Sequence, residues 1–434
     1  MSMKSGIKKQ FSSKKKRFLI IILLFLTGLL YRLLLIKIFP QPFAFDQLQY
    51  RDYANLMKVY GLYAHSFRIY GYPLFILVID KISNNGLFLG FNNFQLAQAV
   101  LDTISALLVF GTAGALFRSY TKALISYILY LFNPFTSGFT GVMLPEVLAA
   151  FLFSSLYFLS ITFLKSRSLI LVFFTGIILG FIPQVRPVYY FFSIFMLFLM
   201  LFYVLKRFVK DFRWILLFFL SIGFCIPFIY TVWGNYQWYS EISLMDVDRL
   251  SIENFYISMF VKRSKKIPVS MDDYPKEVRW AYNEYSYRKD TPEKRKTTRD
   301  LFFRLALEEI KNNPVKFIIW RIEKMWYIWE KHMIFPYNNG QTPILSIISY
   351  WGNVIYLFLA AMGFIFWSKA QTINNFIKGK GLVLFTGFPI FYTTVANAFS
   401  STEERYSLPV YPLIILFGGF GLFVIFNFFL AKNR

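Results

Sequence analysis

The sequence predicts an all-α polytopic membrane protein, and two observations lead to this fold class. Of its 434 residues, 56% are hydrophobic and 21% are aromatic, which is more apolar surface than a soluble domain usually carries. Apolar stretches of about 20 residues, long enough to cross a ~30 Å hydrocarbon core as a helix, recur along the chain. We therefore expect about ten transmembrane helices and two longer connecting segments.

The ten predicted spans follow from where these apolar runs begin and end. They cover residues 18–38, 94–117, 122–141, 145–164, 168–185, 188–205, 213–234, 344–367, 380–399 and 407–430. A basic stretch, residues 1–17, precedes the first span, but no small-x-small cleavage pattern follows it, so we expect a retained anchor. Spans 1–7 then form one module over residues 18–234, and spans 8–10 lie within residues 344–434.

The placement of lysine and arginine predicts the orientation. The formal net charge is +24, and basic residues are concentrated in one alternating set of short connections. Because basic short loops stay in the cytoplasm, we expect both termini there, in a plasma membrane. Residues 39–93 and 235–343 then lie outside. The positive charge is accounted for by topology and by anionic lipid or phosphate, so nucleic acid is not an expected partner.

Both outer segments carry helical patterns that are too short or too polar to span. In residues 39–93, apolar side chains recur on one side of "FDQLQYRDYANLMKVYGLY", which favours a helix lying along the membrane surface. The following "GYPLFILVIDKI" predicts a second short helix. In residues 235–343, one amphipathic helix is predicted before Pro314, and a tryptophan-rich one begins there.

Two kinds of site are disfavoured by composition. Cys225 is the only cysteine, so no intramolecular disulfide can form. The only histidines are His65 and His332, which makes a histidine-based zinc site improbable. Neither observation bears on a divalent metal held by carboxylates.

Charged residues at the outer membrane face are the informative ones, because burying them there is unfavourable unless they are paired or used. They are Asp46, Asp52, Arg68, Glu146, Arg186, Glu403, Glu404 and Arg405. A carboxylate can take the proton of an attacking hydroxyl, and arginine holds phosphate in a fixed fork geometry. Together, these side chains suit a transfer reaction in which a hydroxyl attacks and a phosphate is the leaving group.

Each of these residues also has a structural interpretation. Asp46 and Glu146 could cap helices, and the arginines could be anchors for lipid phosphate. Asp52 could be solvated or paired with a neighbouring basic side chain. Asp102 lies inside the second span, where we expect a hydrogen bond to a neighbouring helix. Gly176 and Gly180 form a GxxxG pair that predicts close packing of two spans of this chain.

Five stretches of the sequence together resemble one family. In chain order they are the frame Asp46-x-x-x-Tyr50-x-x-x-Ala54 with "GYPLFI", then "NPFTSGFTGVMLPEVLAAFLF", "GFIPQVRPVYYF", "LALEEIKNNPVKFIIWRIEKMWYIW" and "ERYSLPVYPLIILFGGFGL". They are similar to the GT-C superfamily of integral-membrane glycosyltransferases, and most of all to its protein O-mannosyltransferase and ArnT-like branch. These pieces cover most of the chain in the family's order.

The resemblance implies roles for particular residues. Asp46 matches the catalytic base, Glu146 an outer acidic residue near the active site, and Arg186 and Arg405 positions that face the donor phosphate. The candidate substrate-binding residues are Tyr50, Arg68, Glu146, Arg186, Glu404 and Arg405. Two positions depart from the family pattern: Gln47 stands where many relatives have a second acidic residue, and Pro145 precedes Glu146 where they have Ser or Thr.

The resemblance also implies the reaction. A sugar would pass from a polyprenyl-phosphate donor to a hydroxyl on a glycan, lipid or protein acceptor at the outer face, with inversion at the anomeric carbon. No cofactor is expected besides this lipid-linked co-substrate and a divalent metal, if one is used. The alternative is a transporter or flippase, which would show inverted repeats and polar groups near the bilayer midplane. A non-catalytic scaffold would leave the charged residues at one face unexplained.

Overall fold

A computed structural model gives the fold. It describes residues 3–61, 68–82, 87–88, 91–166, 168–207, 210–245, 250–262, 274–288, 292–337, 342–374, 376–400 and 402–432. Apart from one hairpin of two-residue strands, Leu87–Phe88 (β1) and Phe91–Asn92 (β2), the regular structure there is helical. The hairpin is antiparallel and pairs Leu87 with Asn92.

The helices are numbered in chain order. The first nine are Met3–Ile38 (α1), Asp46–Tyr60 (α2), Gly71–Ile82 (α3), Asn93–Phe117 (α4), Tyr120–Leu131 (α5), Pro134–Ser137 (α6), Glu146–Ser166 (α7), Leu169–Val185 (α8) and Tyr190–Arg207 (α9). The others are Lys210–Tyr239 (α10), Leu250–Ile257 (α11), Lys276–Arg288 (α12), Pro292–Asn312 (α13), Pro314–Tyr327 (α14), Pro343–Asn374 (α15), Phe376–Ala398 (α16) and Tyr411–Lys432 (α17). Short 3-10 turns over Pro187–Tyr189 and Glu404–Val410 precede α9 and α17.

Eight helical stretches in the described part of the chain are long and apolar enough to cross a membrane. They are Lys15–Ile38, Asn93–Phe117, Glu146–Leu164, Pro187–Lys206, Phe212–Gln237, Pro343–Ala370, Lys380–Ala398 and Glu404–Leu430. They confirm the all-α polytopic class and match eight of the predicted spans. The predicted fifth span is α8, whose 17 residues make a helix of about 26 Å.

The third predicted span, residues 122–141, is wrong as a continuous helix. Helix α5 has only 12 residues and ends at Leu131. Asn133 then starts a new short turn: its side chain accepts from the Phe135 amide, and Pro134 offers no amide hydrogen to continue α5. Residues 133–145, the recessed segment, are buried in the protein with the exception of two half-buried positions, Pro134 and Gly141.

Irregular backbone at membrane depth is tolerated only where protein groups satisfy it. Four glutamine side chains do this for the recessed segment, and they come from α2, α4 and the chain before α2. The amide of Gln98, for example, donates to the carbonyl oxygens of Thr140 at 3.1 Å and Val142 at 2.6 Å. The others are Gln41, Gln47 and Gln95.

The GxxxG prediction is confirmed. Gly176 and Gly180 lie on the face of α8 that packs against α10. A Cβ atom at Gly176 would overlap the carbonyl oxygen of Leu220, and one at Gly180 would overlap that of Phe224. The glycines therefore allow two spans of the same chain to approach backbone to backbone.

Asp102 forms the interhelical hydrogen bonds that its position predicted. Its carboxylate accepts from Arg32 Nε of α1 at 2.8 Å and from the Tyr130 hydroxyl of α5 at 3.0 Å. Arg32 also donates to the carbonyl oxygen of Leu131 at 3.0 Å, at the end of α5. Asp102 and Arg32 are fully buried, so they form a structural ion pair that ties three helices together.

The first prediction concerns the ion pair of Asp102 and Arg32. Asp102→Ala is expected to destabilise the fold by about 3–5 kcal/mol, because it leaves the Arg32 charge buried without its partner. Thermal unfolding of the purified protein in detergent measures the loss. The control is the double variant Arg32→Leu with Asp102→Leu, which removes both charges and should be more stable than the single one. A single variant as stable as wild type would contradict the assignment.

The helices predicted in residues 39–93 and 235–343 are present. In the first, α2 buries Tyr50, Tyr53 and Met57 and leaves Leu48 and Val59 exposed, so one apolar side is free to meet lipid. The break predicted at Pro314 separates α13 from α14. In the second segment, α11, α12 and α13 share a small apolar core of their own.

Candidate active site

Five separate parts of the chain bring charged side chains to one point. Asp46 is the first residue of α2, Arg68 lies just before α3, Glu146 is the first residue of α7, and Arg186 follows the last residue of α8. Arg405 lies in the 3-10 turn before α17. The structure thus gathers five of the predicted site residues, although up to 359 positions separate those in direct contact.

Asp46 is held by two guanidinium groups. Its Oδ1 accepts from Arg68 at 2.6 Å, and its Oδ2 accepts from Arg405 at 2.8 Å. The Asp46 side chain remains 25% exposed, so it is accessible from outside the protein. Both carboxylate oxygens are therefore engaged, on a side chain that a second molecule can reach.

Glu146 forms the deeper part of the same cluster, and its side chain is only 1% exposed. Its Oε1 accepts from Arg186 and lies 3.6 Å from Arg405 Nε. Its Oε2 is buried without a hydrogen-bond partner, and so is the Nε atom of Arg186. A buried polar atom without a partner is unfavourable and often marks a place that a ligand fills.

Glu403 completes the cluster. Its Oε2 lies 2.6 Å from Arg405 Nε, and its Oε1 accepts from the Tyr406 hydroxyl at 3.3 Å. Three carboxylates therefore face three guanidinium groups, and their formal charges cancel. We call these six residues the ion-pair cluster: Asp46, Arg68, Glu146, Arg186, Glu403 and Arg405.

Local backbone geometry directs Asp46 into this cluster. Phe45 has φ 55° and ψ −126°, a conformation that a residue with a side chain rarely adopts. The ring of Phe45 stacks on Tyr337 at 5.8 Å, which holds the residue in place. Asp46 and Glu146 each begin a helix, where the helix dipole favours a negative charge.

Gln47, which departs from the pattern of the family that the sequence resembles, has a structural reason for being an amide. Its Nε2 donates to the Pro42 carbonyl oxygen at 2.9 Å, and its Oε1 accepts from the Met143 amide at 2.8 Å. A carboxylate could accept but not donate, so it could not make both bonds. Gln47 links the backbone beside Asp46 to the recessed segment that leads into Glu146.

The pKa of Asp46 is set by opposing effects. Burial alone would raise it, but the charges of Arg405 and Arg68 outweigh burial and lower it to about 2. Asp46 is therefore ionised at neutral pH. A carboxylate stabilised to this extent is a weak base while both arginines hold it.

The two other predicted site residues, Tyr50 and Glu404, do not belong to the ion-pair cluster. Tyr50 is buried beneath Arg68, whose guanidinium lies 4.8 Å from the centre of its ring, so it supports the arginine. The Glu404 carboxylate points away from the cluster and accepts from the His332 amide at 2.7 Å. Asp52 is exposed, and its neighbour Arg51 pairs with Asp80. His65 lies outside the described residues.

The donor set does not suit a divalent metal. Within the described ranges, no group of three or more His, Cys, Asp or Glu side chains could hold one. The carboxylates that do gather, Asp46, Glu146 and Glu403, each already contact an arginine. A divalent cation among them would lie beside three guanidinium charges, which repel it.

Comparison with solved structures finds archaeal oligosaccharyltransferases. For the apo enzyme from Archaeoglobus fulgidus, the TM-score is 0.50 at 12% sequence identity, over 95% of this chain and 52% of that one. For AglB from the same organism, in complex with an inhibitory peptide and a dolichol-phosphate, it is 0.47 at 12% identity, over 94% and 51%. No family model and no curated protein matches. The chain spans about half the length of these structures.

The likeness to the apo enzyme confirms the predicted GT-C fold. The chain is thus an all-α polytopic membrane protein of the GT-C fold class, with a cluster of arginines and carboxylates at one end of its helices. The O-mannosyltransferase branch and the roles of the individual site residues stay predictions.

Proposed function

We propose that this protein is a membrane glycosyltransferase that moves a sugar from a polyprenyl-phosphate donor to a hydroxyl acceptor. The observation that carries the proposal is the ion-pair cluster, in which a solvent-accessible carboxylate lies within contact distance of two arginines. Arginine recognises phosphate, and a nearby carboxylate can take a proton. This pairing suits substitution at a carbon whose leaving group is a phosphate.

In this reaction, Asp46 takes the proton from the acceptor hydroxyl. The hydroxyl oxygen forms a bond to the anomeric carbon, and the bond from that carbon to the phosphate oxygen breaks. The electron pair leaves with the polyprenyl phosphate, whose negative charge Arg186, Arg405 and Arg68 stabilise. Because the displacement is direct, the configuration at the anomeric carbon inverts.

An apolar groove suits the lipid part of the donor. It has a volume of about 600 Å³ and lies between α9 and α10. One of its lining residues, Tyr190, is four positions after Arg186. The other lining residues include Phe224, Phe228 and Trp233. A polyprenyl chain in this groove would have its phosphate end towards Arg186.

We propose that the reaction takes place outside the cytoplasm, with both termini inside, as the basic connections predict. The cluster lies at the end of the helices that carries α2 and the segment before α3. The acceptor is then a glycan, lipid or protein hydroxyl on the outer side of the plasma membrane.

The test is turnover by the purified chain in lipid nanodiscs. Labelled polyprenyl-phosphate hexoses and a panel of hydroxyl acceptors are supplied, and release of polyprenyl phosphate is measured. Release that depends on the acceptor supports the proposal. Movement of the intact donor across a sealed vesicle, without release, would favour the flippase alternative.

The chemistry of the donor set leads to a second prediction, that turnover does not need a divalent metal. Treatment with EDTA followed by Mg²⁺ or Mn²⁺ is expected to leave the rate within about twofold, because arginines already neutralise the carboxylates that would bind the ion. A metal-dependent glycosyltransferase assayed in parallel shows that the chelation is effective. A large loss restored by Mn²⁺ alone would contradict this prediction.

A further inference from the structure

Both carboxylate oxygens of Asp46 are held by arginines in this structure. One carboxylate oxygen accepts from Arg68 and the other from Arg405, at 2.6 Å and 2.8 Å. Each oxygen keeps a second lone pair, but a carboxylate whose charge is stabilised by two guanidinium groups is a weak base. The residue proposed as the base is therefore engaged by the same side chains proposed to hold the leaving phosphate.

We infer that the donor phosphate and Asp46 compete for the guanidinium groups of Arg68 and Arg405, so that the donor must bind before Asp46 can act as the base. This inference rests on the proposed function. The phosphate takes over the contacts of the two arginines, and the carboxylate that it displaces turns to the acceptor hydroxyl. Donor and acceptor then bind in a fixed order, with the donor first.

The net charge of the cluster favours replacement of Asp46 by the phosphate over addition of a phosphate to the intact cluster. The ion-pair cluster is neutral as it stands, so an added phosphate would face Asp46, Glu146 and Glu403 with no excess positive charge to hold it. When Asp46 moves off Arg68 and Arg405, the other five side chains of the cluster carry one net positive charge, which favours the incoming anion. The cluster thus binds phosphate well only when one of its own carboxylates leaves.

The cluster also offers a first contact for the phosphate. The Nε–H group of Arg186 is buried and has no hydrogen-bond partner, so it can donate to an anion without breaking an existing bond. The side chains of Asp46 and Glu403 are 25% and 31% exposed and can move more readily than that of Glu146, which is 1% exposed. Of the two, Asp46 is the one that contacts both Arg68 and Arg405.

The exchange should also change the pKa of Asp46. With both arginines in contact, the pKa of Asp46 is lowered to about 2. Once the phosphate has taken them, the pKa should rise towards the ordinary value of about 3.9, which makes Asp46 a better base. The charged and titratable groups around Asp46 are Arg68, Arg186, Arg405, Glu146, Glu403, Tyr50, Tyr337 and Tyr406.

The test measures binding of farnesyl phosphate, a short polyprenyl phosphate, to the full chain in nanodiscs. Asp46→Asn should bind it roughly 10-fold more tightly than wild type, because the competing anion is gone. Asp52→Asn is the matched control: it removes the same charge from the exposed surface of α2 and should bind as wild type does. Equal or weaker binding by a folded Asp46→Asn variant would overturn the inference.

A measurement on the wild type covers the case in which the variant does not fold. The pH profile of kcat/KM for the donor reports the free protein, and that of kcat reports the loaded one. Activity falls as Asp46 is protonated, so the acid limb of kcat should lie at higher pH, near 4, and that of kcat/KM nearer 2. Coincident limbs would overturn the inference.

The two proposals fail in different ways. If the chain has no site for lipid phosphate, wild type and Arg186→Ala will bind farnesyl phosphate equally poorly, and the proposed function fails. If Arg186→Ala weakens binding and Asp46→Asn does not strengthen it, the phosphate site stands and the competition is refuted.

Discussion

Asp46→Asn is expected to lower turnover by ~10²–10⁴-fold, which is the usual contribution of a general base. Asparagine keeps the size of the side chain, and its carbonyl oxygen can still accept a hydrogen bond from one of the arginines, but it cannot take the acceptor's proton. Binding of the donor should be at least as tight as in the wild type. The loss should therefore appear in kcat, measured as polyprenyl phosphate released at saturating donor and acceptor.

Asp52→Asn provides the comparison for this result, since it lies on the same helix with its side chain exposed. It should retain the wild-type rate. If Asp52→Asn is inactive and Asp46→Asn is active, the base is Asp52. If both keep full activity, no carboxylate of α2 serves as the base, and a transport function gains support.

Arg186→Ala and Arg405→Ala are expected to weaken use of the lipid donor by about 10- to 100-fold each, since a charge-assisted hydrogen bond contributes ~1.5–3 kcal/mol. In the proposed reaction Arg405 also stabilises the negative charge of the leaving phosphate, so its loss should also lower kcat. The measurement is kcat/KM for the donor, with thermal unfolding followed in parallel.

The matched control for the arginine variants is Arg51→Ala. Arg51 also belongs to an ion pair of the first outer segment, with Asp80, but lies outside the ion-pair cluster. Its removal should leave kcat/KM for the donor within about twofold. If Arg186→Ala and Arg405→Ala behave in the same way as this control, the two arginines are lipid anchors, as the structural interpretation held.

Features that depend on local sequence were predictable. Apolar length gave eight of the spans, and Pro314 gave the boundary between α13 and α14, because a proline fits the first turn of a helix. Gly176 and Gly180 were read correctly from their spacing alone. Asp102 was correctly expected to bind a neighbouring helix, although its partner Arg32, 70 positions earlier, could not be identified.

The third span shows where sequence reasoning failed. Residues 122–141 are apolar enough to pass for a span, but the "NP" at 133–134 interrupts the helix. Proline at such a position can kink a helix or end it, and the outcome depends on whether the freed backbone groups find partners. Here they find glutamines such as Gln41, 97 positions away from Gly138, which no local pattern reveals.

The residue types of the site were predictable from the sequence, but the direction in which each side chain points was not. Adjacent glutamates at 403 and 404 could not be told apart, because the direction of each side chain depends on the 3-10 turn that carries them. Glu403 joins the cluster, and Glu404 caps the backbone at His332. Tyr337, which supports Phe45 from a distant part of the chain, carried no recognisable signal.

The recessed segment has a consequence for how the protein enters its membrane. Helix α5 extends only about 18 Å, too little to be stable as a separate helix in a ~30 Å hydrocarbon core, and the backbone that follows it is satisfied by side chains of α2 and α4. This stretch is therefore not expected to leave the translocon alone. We expect it to enter the membrane together with α4 and α7 as one unit, after the segment that carries Gln41 and Gln47 has crossed the membrane. Assembly of the membrane domain and formation of the site would then be a single late event in biogenesis.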